Sequence, residues 1–139
     1  MMRKWIVCGG RVGRHLSRRR VQEVLDHLAE SLGSQDALTV IHGQAPWVDQ
    51  WAGRWARDRG HFEDAIPIDD EIDGISFHAP KRRNVRMYEK HQDAECCIGF
   101  PGGGGTNHMM DVCHEAGIPV GDVEIDKDGT WEIKWWPQK

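Results

Sequence analysis

Apolar and polar positions along this chain switch repeatedly between two periods. The short continuous apolar runs Trp5 to Cys8, Ala37 to Ile41 and Ala94 to Phe100 predict strands buried on both faces. His61 to Ile66, bounded by Pro67, predicts another strand, and Ile118-Pro119-Val120 starts a fifth. Between them the spacing lengthens to that of a helix. Val21, Val24, Leu25, Leu28 and Leu32 fall on one stripe, with Ser17 placed to cap that helix and Gly33 to stop it. Pro46 is placed to open a second helix, with Trp47 or Val48, Trp51, Trp55 and Ala56 at helical spacing and Gly60 as its stop. Lys81 to His91 predicts a third, on which Val85, Tyr88 and His91 share a face. Thr106 to Ala116 predicts a fourth, capped by Thr106, with Met109, Val112, Cys113 and Ala116 inward and Gly117 as its stop. The acidic stretch Asp69 to Gly74 is expected to be a loop.

Strands alternating with helices imply βαβ units and right-handed crossovers. The expected fold is therefore α/β, with a Rossmann-like, mostly parallel five-stranded sheet and flanking helices. The last segment differs. Val123 to Ile125 and Thr130 to Trp136 flank Asp126-Lys127-Asp128-Gly129, which predicts a C-terminal β-hairpin with Trp131, Ile133 and Trp135 on one face. The turn superficially resembles an EF-hand loop, but Trp135 stands where a bidentate Glu is required, which argues against calcium. With 139 residues, one domain is expected, a core over 1–121 followed by the hairpin over 122–139. That hairpin would cover an open sheet edge or dock a second subunit.

Composition narrows the partners. Hydrophobic residues make up 39% and charged residues 29%, and the net charge of −4 gives no general attraction to nucleic acid or membrane. Basic residues cluster locally at Arg11 to Arg20 and Lys81 to Arg86. No apolar run approaches membrane-spanning length and none forms a signal-peptide core, so a cytoplasmic location is expected. The four cysteines, Cys8, Cys96, Cys97 and Cys113, lack ligand spacing, so they are expected to be reduced core thiols and no metal is expected. Cys8 stands apart because it ends a strand at the expected ligand edge.

The candidate chemistry centres on Pro101-Gly102-Gly103-Gly104-Gly105-Thr106, between a strand and a helix. Glycines there let a ligand approach the backbone, and the amides of the turn and first helical turn converge on one spot. That is an anion site, most often for phosphate. Two further strands end in glycine, at Cys8-Gly9-Gly10 and at His42-Gly43. In open α/β sheets ligands bind beyond the carboxyl ends of strands, so three such turns on one edge reinforce one another.

In order along the chain, Val7-Cys8-Gly9-Gly10-Arg11, His42-Gly43 with Asp49, Arg83-Asn84-Val85-Arg86-Met87 and the proline-glycine loop resemble the SLOG superfamily, in particular its small YspA/YpsA-like branch. The likeness runs from about Trp5 to Val120. It implies a domain that binds nucleotides or nucleotide-derived molecules, usually as a homodimer or higher oligomer, with no cofactor required. It marks Cys8, Gly9, Gly10, Arg11, Gly43, Arg83 and Asn84 as ligand-binding candidates, together with Pro101, Gly102, Gly103, Gly104, Gly105, Thr106 and Asn107; Gln44 and Trp47 are further candidates in a stretch where the chain departs from the family's pattern. Arg83 would grip a phosphate through its planar fork. Trp47 would either stack on a base or join the core with Trp51 and Trp55.

Departures bear on catalysis. The related LOG phosphoribohydrolases carry Glu three positions after the motif's Thr, where this chain has Met109. Methionine neither moves a proton nor stabilises an oxocarbenium-like centre, which excludes hydrolysis through that position. Asp49 and Asp111 are the remaining weak candidates for an acid. Among the histidines, His42, His78 and His108 fall near the loops, with His108 best placed to touch an anion. The leading expectation is a nucleotide-binding sensor, carrier or sequestering protein. The alternatives are a nucleotide N-glycosidase using a non-standard acid and, last, a single-stranded nucleic-acid binder working through the arginine clusters.

Overall fold

The computed structural model describes residues 3–10, 15–33 and 37–138. Six strands form one sheet: β1 (Arg3–Cys8), β2 (Leu38–His42), β3 (Phe62–Ala65), β4 (Cys96–Gly99), β5 (Val120–Ile125) and β6 (Trp131–Trp135). Their order is β3-β2-β1-β4-β5-β6, all parallel except β6, which runs antiparallel to β5. The helices are α1 (Arg18–Ser31), α2 (Val48–Asp58), α3 (Asp70–Asp73), α4 (Ala79–Lys90) and α5 (Gly104–Glu115). The fifth strand and the first arm of the hairpin are one continuous strand, so the hairpin extends the same sheet.

Two apolar layers enclose the sheet, and adjacent strand residues divide between them because side chains alternate across a strand. Trp5 and Val7 face Val21, Val24, Leu25, Val48 and Trp55 under α1 and α2. Ile6 and Cys97 face Met87, Met109, Met110 and Cys113 under α4 and α5. Trp5 stacks on Trp55 with centroids 6.1 Å apart, and the Trp55 indole donates to Asp26 at 2.8 Å, which satisfies its one polar atom. Trp131 and Ile133 pack half-buried against the α1 layer.

Sequence expectations hold where the apolar signal is strong. Ser17 caps α1, its Oγ accepting from the Arg20 amide at 3.2 Å, and Gly33 follows with φ +62°. Five details differ. Helix α2 begins at Val48, because Trp47, at φ +76°, holds Pro46 in a turn outside it. Leu32 lies past the end of α1 and is 39% exposed. Asp69 to Gly74 contains a single helical turn, α3, because the Asp69 carboxylate accepts from the Glu71 and Ile72 amides. The buried face of α4 is Ala79, Arg83, Asn84 and Met87, whereas Val85 is exposed. Ala116, expected inward, is also exposed.

The sheet order reverses at β1. The chain runs outward through β2 and β3, then returns across to β4 on the other side. A topological switch point therefore lies between the carboxyl ends of β1 and β4, where two crossovers diverge and leave a crevice.

Candidate functional site

A cavity of about 370 Å³ occupies that crevice. The ends of β1 and β4 form one wall and are tied together: Phe100 N–H donates to the Cys8 carbonyl and Gly10 N–H to the Pro101 carbonyl, both at 2.9 Å. Gly10 is required for this, since a Cβ would stand 2.8 Å from Gly102 Cα and from the Pro101 oxygen.

The next wall is the first turn of α5. The helix begins at Gly104, with Gly103 as N-cap in extended conformation and no side chain capping it. Thr106, expected to be the cap, is instead the third helical residue and is buried. Three successive glycines let the helix start earlier, and Gly103 accepts the first helical bond from Asn107 N–H at 3.1 Å. Gly103, Gly104 and Gly105 have open space where a side chain would project. First-turn amides lack acceptors within their helix, so this opening presents partial positive charge to the cavity.

The third wall comes from β2. Its continuation is strained, with Gln44 at φ +60° and Trp47 at φ +76°, conformations that cost non-glycine residues about 1–3 kcal/mol each. Asp49, 5% exposed, holds the segment: its Oδ2 accepts from Gly43 N–H at 3.1 Å and Ala45 N–H at 3.2 Å. His42 Nδ1 accepts from Gln44 N–H at 2.9 Å, which leaves Nε2 to carry the proton shared with Glu63 at 2.6 Å. Burial pushes the Asp49 carboxyl up from the usual range, against the two amides and the charge of Arg83.

The floor and far side belong to α4, where Pro80, Arg83, Asn84 and Met87 follow an i, i+3, i+4, i+7 pattern. Arg83 is nine-tenths buried. Its Nη1 donates to the Gly43 carbonyl at 2.6 Å and its Nε to Asn84 Oδ1 at 3.1 Å, while Nη2 has no hydrogen-bond partner among the described residues. Nor does Arg83 form an ion pair among the described residues. Burial lowers its affinity for the proton, opposed by the fields of Asp49 and Asp73, and a guanidinium in this setting stays charged. A Cβ on Gly43 would lie 2.5 Å from Arg83 Cζ, so a larger residue here has to push the guanidinium aside. Asn84 is the staple: besides receiving Arg83, its Nδ2 donates to the Gly105 carbonyl at 3.1 Å and lies 3.2 Å from His108 Nδ1. Burial, and then Lys81, lower the His108 pKa, which keeps that nitrogen free to accept.

Of the residues expected at the site, Cys8, Gly9, Gly10, Gly43, Asp49, Arg83, Asn84, Gly103, Gly105 and Thr106 converge on the cavity. Pro101 and Gly102 serve its frame through Gly10 without lining it. Gln44 turns to another groove beside His42 and Glu63. Trp47 neither lines the cavity nor joins the core; it is 44% exposed and packs edge-on against Trp51 at 5.4 Å. Gly104 and Asn107 are exposed beyond the lining, as is Asp111. His42 and His78 also lie outside it, and Arg11 lies outside the described residues. Ala45, Pro80 and Met87 also line the cavity, beyond the residues expected; the last two are detectable from their helical spacing with Arg83. Met109, 1% exposed, lines the cavity from α5. Among the described residues no cluster of three metal-ligating side chains occurs, and no helix is long and apolar enough to cross a membrane.

No family model matches the chain, and no curated protein sequence matches it. Among solved structures, the chain is similar to the X-ray structure of TM1055, a Northeast Structural Genomics Consortium target. The TM-score is 0.63 with 19% identity, over 85% of this chain and 72% of that one. At that identity the likeness concerns the fold, and the two chains share a Rossmann-like α/β architecture.

Proposed function

We propose that this protein binds a nucleotide or nucleotide-derived ligand through its phosphate, as a sensor, carrier or sequestering protein. The observation that carries this is the buried guanidinium of Arg83, unmatched by any carboxylate contact, lining the same cavity as the uncapped start of α5. A buried cation without a partner is costly, and an anion arriving between it and the helix amides completes both. The cavity volume suits a mononucleotide-sized ligand. The motif order that resembles the SLOG superfamily points the same way, and with it to self-association.

Calorimetric titration with nucleoside monophosphates, NAD, ADP-ribose and cyclic nucleotides tests this proposal. Saturable binding by at least one, lost on replacing Arg83, is expected. Absence of binding across the panel removes the proposal.

One observation favours a second reading, an N-glycosidase. Asp49 is a buried carboxyl on the cavity wall with a raised pKa, as a general acid requires. Release of free base from a nucleotide, abolished in Asp49→Asn, would establish it. Asp111, outside the cavity, is not a candidate for that role.

A further inference from the structure

A second, shallower groove of about 340 Å³ lies across the lip of the cavity, lined by His78, Lys81, Arg82, Val85 and His108. One contact layer separates the two spaces: Asn84 lines the cavity, and the His108 ring it touches lines the groove. The groove is basic on its α4 side. Lys81 and Arg82 are exposed, and Lys81 makes no ion pair among the described residues. Arg82 Nη1 donates to the Asp73 carbonyl at 3.2 Å, an anchor that leaves its charge unneutralised. Burial and Lys81 hold His108 towards its neutral form, against Asp111, so the positive charge of the groove is that of Lys81 and Arg82.

Inside the cavity the balance is different. Arg83 is the cation there, and Asp49 shares the space. One phosphate at the α5 amides would use that cation fully, and a second anionic group would find only the Asp49 carboxyl. Across the lip, Lys81 and Arg82 offer the uncompensated charge that the interior lacks. We infer that cavity and groove form one bipartite site for a nucleotide carrying two phosphate groups, the first at α5 and Arg83, the second at Lys81 and Arg82. This rests on the function proposed above and names its ligand class.

The experiment is calorimetry with adenosine 5′-monophosphate and adenosine 3′,5′-bisphosphate. The wild-type protein should bind the bisphosphate about tenfold more tightly, the effect of two partly exposed charge contacts. In a Lys81→Ala/Arg82→Ala variant, with its fold checked by circular dichroism, the ratio of the two affinities should fall to near one. In Arg57→Ala, on α2, the ratio should persist. Equal affinities in the wild type, or an advantage surviving the double substitution, would overturn the inference while leaving the proposed function intact. Binding of neither nucleotide would remove both.

Discussion

Two arginines one turn apart on α4 are used in opposite ways. Arg86 is matched: its Nε and Nη2 reach both oxygens of Asp73, at 3.1 and 2.6 Å, and Nη2 also donates to the Pro67 carbonyl. Asp73 is 1% exposed, and Arg86 holds its carboxyl below the usual range. Arg83 meets only neutral acceptors, the Gly43 and Ile66 carbonyls and Asn84, and the acid near it, Asp49, spends one oxygen on backbone amides and is pushed up instead. Both arrangements fix a loop to α4. Only the second leaves charge over, and it does so beside a cavity. Buried charge already paired inside the fold is structural; the charge left over at Arg83 is what the proposed ligand site rests on.

Breaking the matched pair should have the largest effect. Arg86→Ala leaves Asp73 buried without its cation, and urea unfolding should show a loss of about 3 kcal/mol. Its counterpart, Arg83→Gln, should cost about 2 kcal/mol in nucleotide affinity, roughly thirtyfold, with little change in unfolding midpoint. A similar stability loss in both variants would erase the distinction. Gly43→Ala acts on Arg83 indirectly, since the new methyl must displace the guanidinium; affinity should fall about tenfold, by calorimetry.

The smallest effect is a pH slope. The raised Asp49 pKa makes its contribution to stability complete below the unfolded value, near pH 4, and lost as pH rises through the folded value. Asp73 has the reverse sign: its contribution is complete above about pH 4 and lost as pH falls through its lowered folded value. Asp49→Asn should therefore gain on the wild type as pH rises from 4, whereas Asp73→Asn should gain on it only as pH falls below about 4, in unfolding curves measured against pH.

The sheet and main helices were legible because Trp5 to Cys8, Ala94 to Phe100 and the α1 stripe carry unambiguous periods. The glycine turns that meet at the switch point were legible for the same reason, each following a strand. Helix α3 was not, since its single turn depends on one Asp69 side chain rather than an apolar stripe. The start of α5 was misplaced because threonine is a good cap, yet glycines before it removed the steric reason to wait. Nothing local distinguishes Arg83 from Arg86. Their difference comes from Asp73 and Gly43, brought to α4 from distant loops by the fold. Asp49 likewise carries no local sign that its carboxylate clamps the turn before its own helix, which the structure shows.

The central claim is that an anion seats between the α5 amides and Arg83. Nitrogen-15 NMR of the labelled protein, titrated with adenosine 5′-monophosphate, addresses it directly. The amide signals of Gly103, Gly105 and Thr106 should shift saturably together with those of Gly10 and Gly43, while Gly60 and Gly129 stay still. Unmoved signals at the start of α5, or shifts confined to other surfaces, would contradict it.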